Sequence, residues 1–386
     1  VPGLPGVAGG ATCQRMTRVL LLLLGVLIGA CAEGRAQEVV RSERAAFRVG
    51  VFAQGLEHPW GGAFLPDGTL LVTERPGRMR LVNASGAVSP PLGGVPPVVT
   101  GGQAGLLDVA LAPDFARTRE IFFCASTAVE GGALTRLWRA VLGPEALQEV
   151  RPVLDVAPAQ ASGRLHFGCR IVFGRDGSLF LSAGERNQRD RAQRLDDLAG
   201  KVLRLTREGA VPPDNPFAGR AGARPEIFTW GHRNPQGLAL NPWTGSLWES
   251  EFGPRGGDEI NILRAGQNYG WPRVSHGREY VGGRISERVS EPGLADPIHV
   301  WVPSVSPSGI AFYDGAAFPA WRRSLFVAAL SPPALVRLTT EGDRVTGEER
   351  LLEGVARFRA VIVGPDGLVH VLTDEGRGRI LRLEPG

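Results

Sequence analysis

Asp-Gly placed between two apolar runs recurs along this chain, and that repeat limits the fold more than any other feature. Four copies are clear: AFLPDGTLLVTERPGRMRLV at 63–82, IVFGRDGSLFLSAGE at 171–185, LALNPWTGSLWESEFGP at 238–254 and VIVGPDGLVHVLTDEGRGRILRL at 361–383. Two looser copies lie at 109–126 and 310–330. Each has an apolar segment, a turn carrying Asp, Asn or Gly, and a second apolar segment that alternates. Asp-Gly in that setting favours a tight hairpin, because its positive-φ positions match the twist of paired strands. The markers Asp67, Asp114, Asp176, Asn241, Asp314 and Asp366 are spaced 47 to 73 residues apart. Roughly 60 residues per unit suits one four-stranded antiparallel sheet with elaborated loops.

Composition agrees. Of 386 residues, 53 are Gly and 30 are Pro, with no collagen-like period, so they mark turns. No long amphipathic helix is legible; the one helical candidate is short, about Ala192 to Leu198. The expected fold is all-β, a six-bladed β-propeller of four-stranded antiparallel sheets. A pair of β-sandwiches is the competing architecture, but it gives no reason for six similar hairpins. In a propeller, loops from every blade gather at the axis, so polar residues far apart in sequence meet there.

The N-terminal region reads as a leader. Arg18 precedes an apolar run, Val19–Ala30, which is short for a bilayer span and suits a signal-peptide core. Residues 1–15 read as an upstream extension, 16–36 as a signal peptide and 37–386 as a single propeller domain. Two processing routes stand side by side: Ile28-Gly29-Ala30-Cys31 resembles a lipobox, which would put a lipid anchor on Cys31, and Gly34-Arg35-Ala36 resembles an ordinary cleavage site. Both imply a periplasmic or secreted chain; an uncleaved anchor is the third reading. Cys124 and Cys169 lie in the body, where a disulfide and two buried thiols are both open.

Net charge is +4, and Lys201 is the only lysine, so the cations are nearly all arginine. No basic run interleaves with aromatics, which argues against nucleic-acid binding. His166, in GRLHFGCR, is a candidate general base or a histidine satisfied by the backbone. Arg233, Asn234 and Gln236, in TWGHRNPQG, suit a carboxylate plus a carbonyl. The stretch 249–272 carries Glu249, Glu251, Asp258 and Glu259 beside Gly253-Pro254 and Gly256-Gly257. It reads as a hard-cation loop or as a solvated acidic loop. Arg357 and Arg359, two apart, share one face of a strand and need an anion or water between them.

Taken in order, GGQAGLLDVALAPDF, HFGCRIVFGRDG, GHRNPQGLALNP, FGPRGGDEIN with NYGWP, WVPSVSPSGIAFYDG and RFRAVIVGPDG resemble the soluble aldose sugar dehydrogenases that use pyrroloquinoline quinone (PQQ). The similarity spans about 47–383. It implies oxidation of an aldose at the C1 hydroxyl to the lactone, with PQQ and Ca²⁺ as cofactors and an unidentified electron acceptor. His166 would be the base. Arg233 and Asn234 would contact the quinone, Gln103 would lie beside quinone and sugar, and Arg357 and Arg359 would hold PQQ carboxylates. The Gly253 and Pro254 carbonyls would bind the cofactor's Ca²⁺. Glu259 and Tyr269 would belong to a second calcium site, and Trp301 would line the sugar pocket. Two departures stand out. Ser331-Pro332-Pro333 occupies a loop where the family usually has a lysine, and Leu165 precedes the histidine where one branch has Asp. A calcium-dependent lactone hydrolase and a non-catalytic carbohydrate-binding propeller are the alternatives. Monomer and homodimer are both compatible with the sequence.

Overall fold

The structure is a computed structural model and describes residues 39–386. The leader, its cleavage sites and Cys31 lie outside the described residues. Six antiparallel sheets are present. Their innermost strands are Pro59–Phe64, Leu106–Leu111, Ile171–Phe173, Pro235–Leu240, Pro307–Tyr313 and Phe358–Val363, and these define blades 1 to 6. Each inner strand packs against the next, and the last returns to the first. That closed circuit is a six-bladed propeller, and it excludes the paired sandwiches.

Two blades depart from the expected four strands. Blade 1 has three, Pro59–Phe64, Leu70–Glu74 and Arg78–Val82. Its outer place is filled by irregular chain: Ser89 N donates to Leu81 O at 2.8 Å and Leu92 N to Met79 O at 2.9 Å. Blade 6 has five, because Val40–Arg41 and Ala46–Leu56 add to Phe358–Val363, Val369–Thr373 and Gly378–Pro385. The ring is therefore closed by hydrogen bonds between the first long strand and the last.

The tight turns lie where the sequence put them. Gly68, Gly177 and Gly367 have φ of +83°, +79° and +75°, and Asp67, Asp176 and Asp366 each accept the backbone N–H two residues on at 2.9–3.0 Å. Asp114 and Asp314 instead open longer connections, one holding the short helix Phe115–Thr118 and the other a 3₁₀ turn at Pro319–Trp321. The helical candidate at 192–198 is displaced: a 3₁₀ turn covers Arg189–Gln193.

The second strand of each blade does not alternate as expected. Leu70–Glu74, Leu179–Ala183, Leu247–Glu251, Ser324–Leu330 and Val369–Thr373 are buried throughout. Each is enclosed by a neighbouring blade on both faces, so both its residue sets lose water. Between blades 5 and 6, Phe47 of the closing strand packs edge-on against Trp321 at 5.4 Å, beside Phe326 and Phe358.

Cys124, in the second strand of blade 2, is disulfide-bonded to Cys169 at the entrance to blade 3, which settles a pairing the sequence left open. Both are buried. The bond closes a 45-residue loop, which by loop-closure entropy is worth about 4 kcal/mol. Replacing both cysteines by alanine is expected to lower unfolding stability by about that amount in denaturant titration; an unchanged midpoint would show that the bond does not form.

Candidate active site

Two kinds of loop meet at one end of the toroid. One kind leads into each inner strand and carries His58, Gln103, His166, Arg233-Asn234 and Arg357. The other follows each second strand and carries Glu74-Arg75, Glu185, Glu251 to Pro254, Leu330-Ser331 and Asp374. The Asp-Gly turns mark the opposite end. Residues from all six blades therefore face one another by construction.

His166 is buried and its backbone is left-handed, with φ +51°. Such a conformation is uncommon outside glycine, and its backbone partners hold it. His166 N donates to Gln103 Oε1 at 2.7 Å, and His166 O accepts from Arg186 N at 3.2 Å. Its Nδ1 is 3.1 Å from Glu185 Oε1, off the line of a full hydrogen bond. Burial lowers the imidazole pKa below its ordinary value, against the pull of Glu185. Gly184 lets these loops close: a Cβ there would sit 2.3 Å from His166 O and 2.8 Å from Asn234 Oδ1.

Arg233 N donates to Glu251 Oε2 at 2.6 Å. Its guanidinium donates to the carbonyls of Phe252 and Gly253, both at 3.0 Å, and lies 5.3 Å from the Trp271 ring. Asn234 accepts from Gly168 N through Oδ1, while its buried Nδ2 has no partner. Asp258 fixes the Gly253–Pro254 loop, accepting from Gly253 N at 2.8 Å and from Val305 and Ser306 N at 2.7 Å. Glu185, Arg233, Pro254, Trp271, Glu279 and Tyr280 line a cleft of about 230 Å³. An adjoining cleft shares Arg233 and Trp271 and adds Gly253, Glu259 and Tyr269.

Arg357 and Arg359 differ. Arg359 is buried and donates to Gln236 Oε1 at 2.7 Å, to Ser308 Oγ at 3.2 Å and to Asp374. Arg357 is half-exposed, donates to Leu330 O at 3.1 Å and lies 3.9 Å from Asp374 Oδ2. The anion that paired arginines need is thus Asp374, whose pKa falls well below the carboxylate range despite burial, drawn down by Arg359. Arg75 feels the same charges and donates to Gly102 O. Trp301 stands apart from this assembly: it is 3% exposed within the core of blades 4 and 5, and its Nε1 donates to Glu348 at 2.9 Å. The tryptophan at the cleft is Trp271.

Sequence reasoning passed over Arg75, Glu185, Trp271 and Asp374. The signal for two of them, Glu185 and Asp374, was in the repeats, four of which end in an acid: TLLVTE, LFLSAGE, LWESE and HVLTD. Each acid reaches the strand-entry region of its own blade. Glu74 accepts from Glu57 N, Glu185 faces His166, Glu251 accepts from Arg233 N, and Asp374 holds Arg359.

A model of the glucose/sorbosone dehydrogenase family matches residues 56–382. The chain is 45% identical over 348 residues to the aldose sugar dehydrogenase YliI of Escherichia coli, covering 88% of this chain and 94% of that one. It is 28% identical to quinoprotein glucose dehydrogenase B of Acinetobacter calcoaceticus, covering 84% of each. A PQQ-bound aldose sugar dehydrogenase from Streptomyces coelicolor superposes with a TM-score of 0.73 at 33% identity, over 89% of this chain and 99% of that one. With its matching motifs gathered at one mouth of a six-bladed ring, this chain belongs to the glucose/sorbosone dehydrogenase family.

Proposed function

We propose that the chain oxidises the C1 hydroxyl of an aldose to the lactone, using PQQ and Ca²⁺. The observation that carries this reading is the His166–Glu185 pair set at the same mouth as Arg233 and the Gly253–Pro254 carbonyls. The residues suit a polycarboxylate quinone. Arg75, Arg357 and Arg359 surround a single acid, Asp374, which leaves an excess of positive charge. Asn234 Nδ2 and Arg359 Nε are buried without partners, an arrangement folded proteins rarely leave uncompensated. Pro254 O accepts no hydrogen bond among the described residues, and Gly253 O already faces a cation, Arg233.

When bound, PQQ supplies the two-electron acceptor for hydride leaving C1, and Ca²⁺ supplies Lewis-acid polarisation. The chain supplies the base and the positioning. Burial keeps His166 neutral near pH 7, and Glu185 favours the tautomer with its proton on Nδ1. Nε2 is then free to take the hydroxyl proton as the C1–O bond becomes a carbonyl. Arg233 and Asn234 orient the acceptor, Arg357 and Arg359 hold carboxylates, and Gln103 fixes the His166 loop. Gly253 and Pro254 would hold the cofactor's Ca²⁺, with Glu259 and Tyr269 at a second calcium. Arg75 and Arg357 offer the cationic contact that Ser331 cannot. The paired cysteines and the leader favour export to the periplasm, free or through a lipid on Cys31.

His166→Ala is expected to retain PQQ, seen in its absorption spectrum, and to lose about 10²- to 10⁴-fold in kcat; unchanged turnover rejects His166 as the base. Since burial lowers the His166 pKa, the base stays unprotonated into mild acid. The acid limb of kcat/KM should therefore have its midpoint below 6.5, and a midpoint above that value contradicts the assignment. Arg357→Ala should weaken PQQ binding roughly 10- to 100-fold with little change in melting temperature, whereas Arg359→Ala should lower both. Equal behaviour of the two variants would remove the distinction drawn between them.

A further inference from the structure

Blade 4 holds a group of acids that the proposed reaction does not use. Glu249 and Glu251, two apart in Leu247–Glu251, share one face of that strand. On the neighbouring strand Asn261 is registered opposite Glu249, and Glu259 opposite Glu251. Carboxylates directly across a sheet repel. Glu259 has the second calcium proposed above, whereas Glu249 and Glu251 lack a counter-charge: among the described residues no Arg or Lys is in ion-pair contact with either. The polar group at their centre is Asn261 Nδ2, 3.1 Å from Glu249, 3.4 Å from Glu251 and 3.3 Å from Glu259. Its two protons cannot satisfy three carboxylates.

Two further observations point to a missing ligand. Glu249 is fully buried, and its Oε1 has no partner; Asn261 Oδ1 is likewise buried and unpartnered. His232 closes the group from above, also fully buried. Its Nδ1 is 3.3 Å from Glu251 Oε1, and its Nε2 is 2.9 Å from Thr229 Oγ1. If Thr229 accepts from Nε2–H, the Nδ1 lone pair is turned toward the acids, as an outer partner commonly orients a ligating histidine. One donor atom from each of His232, Glu249 and Glu251 lies within 4.8 Å of the others. A tetrahedral ion with bonds near 2.1 Å would set its ligands about 3.4 Å apart, close to the His232–Glu251 separation.

We propose that His232 Nδ1 and the Glu249 and Glu251 carboxylates bind one divalent cation of the Zn²⁺ or Mn²⁺ kind. An imidazole nitrogen beside two carboxylates favours such an ion over Ca²⁺. The site is separate from the Gly253–Pro254 carbonyls and does not depend on the reaction proposed above.

The test uses the untagged full chain, stripped with chelator and then dialysed against Zn²⁺ or Mn²⁺. After gel filtration, elemental analysis should find one equivalent retained, and the melting temperature should rise by roughly 5 °C at a hundredfold excess over Kd. Glu249→Gln should bind the ion at least tenfold more weakly and show at most about half the shift. Glu249→Leu should bind none and melt above the stripped parent, because a buried unpaired charge is gone. Retention of neither ion by the parent overturns the proposal, as does equal retention by Glu249→Gln. In those cases the acids share protons instead. The reading on the parent stands even if a variant fails to fold.

Discussion

One buried guanidinium holds the axis of this ring together. Arg359 starts in the inner strand of blade 6 and touches Asp374 of its own blade, Gln236 of blade 4 and Ser308 of blade 5, and lies 5.7 Å from the Trp60 ring of blade 1. Over the same Trp60 ring, Arg170 pairs with Asp108 at 2.8 Å and donates to Gln236 O at 3.1 Å. Inner strands are the one place in a propeller where side chains from all blades converge without a flat sheet to bury them. Apolar residues would fill that space, but they would not fix which blade faces which. Directional charge-assisted bonds do, at the cost of removing ions from water, so losing one member of such a pair costs about 3–5 kcal/mol.

The same arrangement links scaffold and chemistry. Asp374 satisfies Arg359 and also lies near Arg357 and His58. Glu251 accepts from Arg233 N while facing His232. Acids at the ends of second strands therefore act as clasps on the loops that carry the candidate site. Those loops are irregular, and His166, Arg186 and Asn187 all have left-handed backbones at φ +51°, +63° and +58°. Conformations of that kind persist only where surrounding contacts impose them.

Much of this was legible because it is local. Asp-Gly hairpins depend on a few adjacent residues, and their recurrence revealed six units. His166, Arg233 and Arg359 were visible because polar residues at strand entrances stand out against apolar runs. What escaped depended on packing between blades. Alternation fails in the second strands because both faces are covered. Trp271 and Trp301 are both aromatic, both close in sequence to the acidic loop, and only the three-dimensional path of the chain sends one to the cleft and the other into the core. The cysteine pair was undecidable from spacing because its partners belong to neighbouring blades.

The pairing of Ala46–Leu56 with Gly378–Pro385 has a temporal consequence. A ribosome makes the first of these strands long before the second. Until Gly378–Pro385 has been made, that early segment has only the short Val40–Arg41 beside it and presents bare backbone donors and acceptors to anything nearby. The toroid cannot shut by degrees from one side; its final seam waits for Gly378–Pro385, which makes completion a late, long-range event. Loss of either strand would leave five blades made and the sixth, the one that shuts the circle, incomplete.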